Sequence, residues 1–396
     1  RSDVSRSIPH LRTPPMGWNS WNAYSWTVIE ENVRDAADML VDTGMRDAGY
    51  EYLVVDDTWM ADSLTDDREF RPDPEDFPSG IGDLADYVHE KGLKFGIYSS
   101  AGTNTCAELP ASLGLEDIHA EQFAQWGVDY LKYDNCGDHH GLDARTRYEA
   151  MGTELAAVDR DIVFSLCEWG NNEPWRWGRN VGGKLWRTTG DIIAKWESSE
   201  KDEHGLGLVE IIDRHGHDHD IAGYHGPGGW NDPDMLQVGN GPGSIHSQDD
   251  SFHVEDPFTE AEQVTHFSFW CLFSAPLMAG NDLRDWDAQT ERILLNEDAI
   301  AIDQDPLGIQ GTRDAKRGDQ EVWSKRLAGG ESAVILFNRG TEPVDIETDV
   351  DTVDQPIEAD AYTVHDVWTD ETWETPGELG ATVEGHGVAF LRVSPA

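Results

Sequence analysis

Two hydrophobic patterns alternate along the first three-quarters of the chain. Short apolar stretches of strand length are followed by longer stretches with the apolar spacing of a helix. Strands are predicted at residues 16–21, 52–59, 94–99, 130–134, 162–166, 185–188, 230–236 and 276–279. Helices are predicted between them, for example at residues 31–47, 82–91, 117–126 and 147–158. Strands that alternate with helices favour parallel pairing, so these eight units predict an α/β fold of the (β/α)8 TIM barrel type.

An open, doubly wound sheet is the alternative for such an alternation. That fold usually carries a glycine-rich phosphate-binding turn after its first strand. Residues 16–24, MGWNSWNAY, contain no such turn, which favours the barrel.

The pattern changes after Gly308. Helical spacing disappears, and short strands are predicted at residues 322–327, 332–338, 344–348, 362–367 and 387–393, joined by Gly, Pro and Asp turns. This pattern is typical of an antiparallel β-sandwich. We therefore predict a barrel domain at residues 1–310 and a C-terminal β-sandwich at residues 311–396, without a catalytic cluster in the second domain.

Polar and aromatic residues gather where the predicted barrel strands end. In strand order these residues are Trp18 and Trp21, Asp56 and Asp57, Tyr98, Asp134, Cys167 to Trp169, Arg187 to Asp191, Asn231 with Asp232 and Asp234, and Asn281 with Asp282. The carboxyl ends of barrel strands converge on one mouth, which is where active sites of this fold lie. One polar strand end is usually only the start of a loop, but eight in succession favour a site.

Charge adds a second feature. The chain has 77 acidic and 29 basic residues, a formal net charge of −48, and the acidic residues are spread over both halves. Such a surplus repels itself, and molar salt screens it to a length of about 3 Å. We expect a halophilic protein, either in the cytoplasm of a salt-accumulating organism or secreted into a high-salt medium. A nucleic-acid partner is not expected, because phosphate binding needs basic patches.

No membrane partner is expected either. The longest apolar run, residues 267–280, is interrupted by polar residues and is shorter than the roughly 20 residues that a membrane-spanning helix needs. A homo-oligomer stays possible, since the sequence does not specify the oligomeric state.

Two carboxylates at strand ends have a basic neighbour. Asp134 follows Lys132 on the same face of its strand, so the lysine is expected to favour the ionised carboxylate, and Asp191 follows Arg187. A pair of carboxylates that flank a bond is the machinery of glycoside hydrolysis. Tryptophans near the same strand ends suit a sugar, whose C–H faces pack on aromatic rings. A structural ion pair at a strand end is the alternative for each carboxylate alone.

The cysteines and one histidine-rich segment are the other candidates for chemistry. The chain has four cysteines, Cys106, Cys136, Cys167 and Cys271, and they lack the close C-x-x-C pairs of a zinc site. Two of them could form a disulfide, but the residues alone do not say which two. The segment 205–225, predicted as a loop, carries His215, His217 and His219 with Asp218 and Asp220. Imidazole and carboxylate groups are metal ligands, but a solvated acidic loop is favoured, so neither a metal nor another cofactor is predicted.

Nine segments resemble the α-galactosidases of glycoside hydrolase family 27. They are residues 13–22 (TPPMGWNSWN), 52–59 (YLVVDDTW), 96–102 (GIYSSAG), 130–136 (YLKYDNC), 165–170 (SLCEWG), 186–192 (WRTTGDI), 226–235 (GPGGWNDPDM), 276–284 (PLMAGNDLR) and 302–308 (IDQDPLG). The resemblance covers every predicted barrel strand in order, while the C-terminal part matches in position and type only. Segments 205–225 and 244–256 look longer than in that family.

The resemblance implies a retaining hydrolase that removes terminal α-linked galactose from oligosaccharides or polysaccharides. Asp134 would form a covalent galactosyl intermediate, and Asp191 would be the acid and then the base. Retaining enzymes hold these two carboxyl groups about 5–5.5 Å apart. The family pattern places the following residues around galactose: Trp18, Asp56, Asp57, Tyr98, Lys132, Cys167, Trp169, Arg187 and Met235. It also implies a disulfide between Cys106 and Cys136, while Cys271 is expected in the core.

Relatives of the same family act on other sugars, namely α-N-acetylgalactosamine and β-L-arabinopyranose. The bulky segment 167–169 and the short Asp56 and Asp57 resemble the galactose-specific pattern. A non-catalytic glycan-binding protein on the same scaffold is the alternative of another class. The presence of both Asp134 and Asp191 argues against it.

Overall fold

A computed structural model describes residues 11–199, 205–217, 219–240 and 257–396 of the chain. The predicted segment 244–256 lies outside these described residues. No helix within the described ranges is long and apolar enough to cross a membrane.

The N-terminal domain is built around one ring of parallel strands. The strands of this domain are β1 (Met16–Asn19), β2 (Tyr52–Val54), β3 (Lys94–Ser100), β4 (Tyr130–Asp134), β5 (Val163–Cys167), β6 (Leu185–Arg187), β7 (Asp191–Ile192), β8 (Gly205–Leu206), β9 (Trp230–Asp232) and β10 (Leu277–Ala279). Eight of them pair in the order β10-β1-β2-β3-β4-β5-β6-β9, and β7 pairs with β8. A parallel bridge between Leu236 and Ala279 closes the ring, so the predicted barrel is confirmed and the open sheet is wrong.

Helices connect successive strands of the ring, and two more follow its last strand. They are α1 (Trp21–Tyr24), α2 (Glu30–Asp42), α3 (Met45–Ala48), α4 (Gly80–Glu90), α5 (Glu116–Gln125), α6 (Ala144–Ala157), α7 (Pro174–Trp177), α8 (Leu208–His217), α9 (His219–Ala222), α10 (Glu260–Phe273), α11 (Ala288–Leu294) and α12 (Glu297–Asp303). Short 3₁₀ turns occur at Ser25–Thr27, Gly178–Val181, Leu283–Asp285 and Ala328–Gly330. The four helices predicted by number occur at the expected places, the first of them divided at Thr43 and Gly44.

Local sequence explains where two of these helices begin. Asp143 caps α6 by accepting a hydrogen bond from the backbone N–H of Thr146. Thr259 and Glu262 form a reciprocal capping box at the start of α10, in which each side chain accepts from the other's backbone N–H. Helix α10 is buried along most of its length and packs between the barrel and the second domain.

The histidine-rich segment is helical rather than a loop, which corrects the prediction. Helix α8 spans Leu208–His217 because apolar residues recur along it with helical spacing and bury Leu208, Ile211 and Ile212. The prediction of a loop gave more weight to the histidine and aspartate content of the segment than to this helical spacing.

The C-terminal domain is an antiparallel β-sandwich, as predicted. Its strands are β11 (Thr312–Arg317), β12 (Gln320–Arg326), β13 (Ser332–Asn338), β14 (Val344–Asp349), β15 (Tyr362–Asp366), β16 (Thr372–Thr375), β17 (Glu378–Val383) and β18 (Val388–Pro395). Six form a sheet in the order β11-β12-β13-β18-β15-β16, and β14 pairs with β17. The boundary between the two domains, placed near residue 310, stays a prediction.

Several polar contacts join the sandwich to the barrel, among them those of Lys325 and Arg339. The buried Lys325 of β12 donates to the carbonyl oxygen of Cys271 at 2.9 Å and to Ser274 Oγ at 2.7 Å, at the end of α10. Arg339 pairs with Asp213 of α8 and, at 2.7 Å, with the buried Glu321. The sandwich therefore supplies charged groups to helix ends and faces of the barrel.

Candidate active site

A cavity of about 530 Å³ opens at the mouth of the barrel, where the strands end. Its lining residues come from seven of the eight strand ends of the ring. They are Trp21, Asn22, Trp26, Asp56, Asp57, Tyr98, Cys106, Lys132, Asp134, Cys167, Trp169, Asn171, Arg187, Gly190, Asp191, Ile192, Asp234 and Met235. Ten of the eleven residues that the sequence placed in the catalytic and sugar-binding site line this single cavity.

Asp134 ends strand β4 and is buried at the floor of the cavity. Its Oδ2 accepts a hydrogen bond from the Tyr98 hydroxyl at 2.7 Å, and its Oδ1 accepts from the Asn135 backbone N–H at 2.9 Å. These two donors fix the carboxylate plane and favour its ionised form. Burial nevertheless raises the pKa of Asp134, and Asp191 adds to the rise, while Lys132 and Tyr98 oppose it.

Lys132 makes its direct ion pair with Asp56 rather than with Asp134. Its Nζ lies 2.7 Å from Asp56 Oδ2, and the Asn19 side-chain amide donates to the same oxygen at 2.7 Å. The expected influence of Lys132 on Asp134 is present as an electrostatic lowering of its pKa, but it is smaller than the effect of burial. Spacing along one strand identified the neighbouring Asp134 but missed Asp56, the ion-pair partner, which follows β2, two strands away in the ring.

Asp57 follows Asp56 and is held by two backbone groups. Its Oδ1 accepts from the Thr58 N–H at 2.8 Å and its Oδ2 from the Ala107 N–H at 3.0 Å. Burial raises the pKa of Asp57 to about 7, and the neighbouring Asp56 adds to the rise. A carboxyl group in this state is suited to hydrogen bonding with an uncharged polyhydroxyl ligand.

Asp191 lies across the cavity, in the short strand β7. Its side chain is 42% exposed, and its Oδ1 lies 2.9 Å from Arg187 Nη2. The same nitrogen lies 3.0 Å from Asp234 Oδ2, and it also donates to the Thr189 carbonyl oxygen at 3.1 Å. Arg187 is thus shared between two carboxylates, of which only Asp191 is open to the cavity to a large extent.

Trp18 does not line the cavity, which corrects its predicted place beside the sugar. The side chain is fully buried, packs edge-on against Tyr24, and donates from Nε1 to the Asn281 carbonyl oxygen at 2.8 Å. Strand β1 ends at Asn19, and the chain then turns into α1, which carries Trp21 into the cavity wall instead.

The remaining predicted residues occupy the expected wall positions. Cys167 is buried, and its Sγ lies 3.6 Å from Arg187 Nη1, while burial raises the pKa of its thiol. Trp169 adopts a left-handed backbone with φ of 63°, which turns the chain sharply after β5. Met235 is 8% exposed and belongs to the apolar cluster inside the barrel.

A disulfide joins Cys106 to Cys136, as the resemblance implies. It connects the loop after β3 to the end of β4, and Cys106 Sγ lies 3.4 Å from Asp134 Oδ2. The backbone N–H of the next residue, Ala107, is the donor to Asp57 described above. Cys271 is a free, buried cysteine within the main core, as predicted.

Sequence reasoning missed seven residues of the wall, namely Trp21, Asn22, Trp26, Asn171, Gly190, Ile192 and Asp234. Trp21 and Asp234 each lie just beyond a short strand, and both had been noted only as strand-end residues. Asp234 has a signal of its own, because it stands in the motif NDPD between a proline and Met235. A polar residue just beyond a barrel strand end lies near the mouth of the barrel, where active sites of this fold are found.

The structure gives no support to a metal site in the part of the chain that it describes. His215 is buried and stacks on Phe273; its Nδ1 donates to the Ile211 carbonyl oxygen at 2.9 Å, and its Nε2 lies 3.2 Å from Thr188 Oγ1. The side chains of His217, Asp218, His219 and Asp220 lie outside the described set. The single group of possible ligand atoms found there is Cys106, Asp134 and Cys136, whose sulfurs are already bonded to each other.

Comparison with known proteins gives consistent results over both domains. The family model described as alpha galactosidase A matches residues 13–305, and the model described as alpha galactosidase C-terminal beta sandwich domain matches residues 317–393. An alpha-galactosidase A of Cellvibrio japonicus is 40% identical over 97% of this chain and 92% of its own length. An alpha-galactosidase of Oryza sativa subsp. japonica is 41% identical over 97% of this chain and 85% of its own length.

A solved structure agrees with these sequence matches. The crystal structure of alpha-galactosidase I from Mortierella vinacea superposes with a TM-score of 0.90 at 32% identity. It covers 98% of this chain and 99% of its own. The similarity therefore extends over the barrel and the sandwich together.

Proposed function

The chain belongs to the alpha galactosidase A family and is a glycoside hydrolase that acts on α-galactosides, and from this premise we propose how its residues carry the reaction. Asp134 is the nucleophile and Asp191 the acid and base of a retaining mechanism. The observation that carries this proposal is that both carboxylates line one cavity together with Lys132, Asp56 and Asp57. Asp134 is bonded firmly at the floor, while Asp191 lies opposite and is open to the entrance.

The reaction proceeds in two displacements. An Asp134 oxygen bonds to the anomeric carbon as the glycosidic C–O bond breaks, and the departing oxygen takes the proton of Asp191. Water then attacks the galactosyl–Asp134 ester, Asp191 takes a proton from that water, and galactose leaves with its original α configuration. The predicted separation of about 5–5.5 Å between the two carboxyl groups follows from this mechanism.

The two carboxylates have different surroundings. Tyr98, the Asn135 N–H and the charge of Lys132 all stabilise ionised Asp134, and the positive charge that develops on the sugar adds to this in the transition state. Asp191 is more exposed and has fewer donors, so it exchanges its proton with the substrate and with water.

Galactose recognition falls to the other groups of the cavity. Asp56 and Asp57 are acceptors for its hydroxyl groups, and Lys132 donates beside them. The aromatic surfaces of Trp21, Tyr98 and Trp169 are suited to the apolar faces of a sugar ring. Arg187 and Cys167 lie between the two catalytic carboxylates, on the side where we place the 2-hydroxyl.

Azide rescue tests the two catalytic assignments separately. In Asp134→Ala, azide should replace the missing nucleophile and convert an activated aryl α-galactoside into β-galactosyl azide. In Asp191→Ala, azide should attack the galactosyl–Asp134 intermediate and give α-galactosyl azide. NMR identifies both products, and reversed configurations or full activity in either variant would overturn the assignment.

Specificity for galactose over its close relatives is part of the proposal. The short Asp56 and Asp57 leave room for the hydroxymethyl group, and Trp169 leaves little room for an acetamido group. We expect kcat/KM for p-nitrophenyl α-galactoside to exceed that for the β-L-arabinopyranoside and the α-N-acetylgalactosaminide. The opposite order would contradict the proposed specificity for galactose but not the assignment of the two catalytic carboxylates.

We also propose that the protein works at high salt. The net charge of −48 in 396 residues supports this, because molar salt screens the repulsion that the compact state otherwise suffers. Circular dichroism should show a folded protein in molar KCl and loss of structure in dilute buffer. An unchanged spectrum at low salt would refute the proposal. Such a setting fits either a salt-rich cytoplasm or a saline medium, and the disulfide favours the second.

A further inference from the structure

Arg187 lies between two carboxylates that belong to different strand ends. Its Nη2 is 2.9 Å from Asp191 Oδ1 and 3.0 Å from Asp234 Oδ2. The guanidinium is 4% exposed and the Asp234 side chain is 6% exposed, whereas Asp191 is 42% exposed. One buried cation is therefore paired with one buried anion, and it touches the proposed acid from the inner side.

Asp234 also holds the segment that carries Asp191. Its Oδ2 accepts a hydrogen bond from the backbone N–H of Ile192, the residue after Asp191, at 2.8 Å. Its Oδ1 accepts from the Met235 N–H at 2.7 Å, and its carbonyl oxygen accepts from Trp270 Nε1 at 2.7 Å. The backbone of Asp234 is left-handed with φ of 90°, which is uncommon for a residue with a side chain.

Arg187 creates a difficulty for an acid catalyst. A guanidinium in contact with a carboxyl group favours its ionised form, so Arg187 alone would remove the proton that Asp191 must deliver. A second carboxylate on the same guanidinium has the opposite effect, because like charges disfavour double ionisation. Arg187 with both carboxylates ionised carries a net charge of −1, and one proton makes the group neutral.

We propose that Asp234 is a positioning residue that keeps Asp191 able to hold a proton, by pairing with Arg187 and by fixing the Ile192 N–H. This inference rests on the proposed role of Asp191 as the acid and base. Asp234 itself does not touch the bond that breaks.

The charges around the group agree with this role. Burial raises the pKa of Asp234 to about 6, Arg187 opposes the rise, and Asp191 and Asp232 add to it. Asp191 is also faced by Asp134 from β4 and Cys167 from β5, and Lys132 acts on Asp234 from farther away. Asp191 and Asp234 are therefore two like charges that share one fixed cation.

The Asp234→Asn variant separates charge from shape. Asparagine keeps an oxygen for the Ile192 N–H but leaves the charge of Arg187 to Asp191 alone. For methyl α-galactoside, whose leaving group needs an acid, we expect the alkaline limb of the kcat/KM profile to move to lower pH by about one unit. At pH values above that limb, kcat/KM for methyl α-galactoside should be about tenfold lower than in the wild type. For 2,4-dinitrophenyl α-galactoside, which needs no acid, kcat/KM should fall by less than about threefold.

A merely structural role would lower kcat/KM for both substrates equally and leave the limb in place, and that result would overturn the inference. Asp232→Asn is the matched control, since it removes the same charge two residues away and acts on Arg187 more weakly than Asp234 does. The alkaline limb of the kcat/KM profile should move less in Asp232→Asn than in Asp234→Asn. If Asp234→Asn does not fold, Asp234→Ser carries the same prediction, and a wild-type limb in either folded variant would refute it.

The outcome is distinguishable from a failure of the proposed function. If Asp191→Ala gives α-galactosyl azide and Asp234→Asn leaves the limb unmoved, Asp191 is the acid and base and only the role of Asp234 is wrong. If Asp191→Ala gives no azide product, the catalytic assignment itself fails.

Discussion

The charged side chains on the two walls of the cavity form ion pairs of different kinds. The sugar wall, formed by Asp56, Asp57, Tyr98, Lys132 and Asp134, pairs its one cation with a single carboxylate at 2.7 Å. The proton wall, formed by Arg187, Asp191 and Asp234, shares its cation between two carboxylates at 2.9 and 3.0 Å.

This difference corresponds to what each wall is proposed to do. A nucleophile must stay in one place and one charge state, so full burial and fixed donors suit it. A group that gives and takes protons needs two charge states of similar free energy, so a shared counterion and partial exposure suit it. The three predictions below act on the sugar wall and its supports, from the largest expected effect to the smallest.

Replacing the cation of the sugar wall should cause the largest change. Lys132→Met leaves the buried Asp56 without its ion pair and brings uncompensated negative charge next to Asp134. Breaking such a pair costs about 3–5 kcal/mol in the free energy of unfolding. We expect kcat/KM to fall by about 10³-fold, which corresponds to about 4 kcal/mol.

The same substitution at the other end of the barrel is its control. Lys94→Met removes an ion pair with Glu51 in which both side chains are about half exposed, at 48% and 51%. Exposed pairs contribute about 0–1 kcal/mol, so thermal unfolding and kcat/KM should change little. Equal losses of stability and of kcat/KM in the two variants would mean that the burial of the Lys132 ion pair does not increase its contribution.

The disulfide is the covalent support of the sugar wall. Cys106 and Cys136 are 30 residues apart, so replacing both by serine should lower the free energy of unfolding by about 3.6 kcal/mol. The loop that carries the Ala107 N–H should then hold Asp57 less well and raise KM. Chemical denaturation and kinetics check the two effects, and unchanged KM with lowered stability would show that the loop keeps its place without the bond.

The smallest effect distinguishes the two tryptophans near β1. Trp21→Ala removes a wall of the cavity, so KM should rise about tenfold with little change in stability. Trp18→Phe removes a buried N–H donor to the Asn281 carbonyl oxygen and part of a buried ring, so it should lower the free energy of unfolding by about 2–3 kcal/mol and leave KM unchanged. Reversed behaviour would restore Trp18 to the sugar wall.

Much of the barrel was predictable because its strands are buried apolar runs of the right length. Strand β4 begins and ends at the predicted residues, Tyr130 and Asp134, and β3 differs by one residue. The sandwich strands that escaped prediction were β11, β16 and β17. Strands β11 and β16 lie at sheet edges and are rich in polar residues. In β17 the apolar Leu379, Ala381 and Val383 do alternate, but Gly380 between them lowers the strand propensity. Edge strands are half solvated, so they need not show an apolar pattern.

The sequence predicted which charged residues form the site better than it predicted which of them pair with one another. Strand ends identified Asp134, Asp191, Lys132 and Arg187 because a barrel brings its strand ends together. The partners of the two cations, Asp56 and Asp234, come from other strands, and spacing along one strand carries no information about them. Trp18 was placed beside the sugar by the family resemblance, but the chain turns into a helix after Asn19 and brings Trp21 to the cavity instead.

Lys325 has a consequence for how this protein can be rearranged. A lysine of the sandwich satisfies a carbonyl oxygen and a hydroxyl at the end of α10, and burial lowers the pKa of its ammonium to about 8. A barrel cut off near residue 310 would keep those acceptors and lose their donor, and a sandwich moved to another host would bring a lysine that needs them. The two domains are therefore not interchangeable modules, and grafting either one onto a new protein requires the end of α10 and Lys325 to travel together.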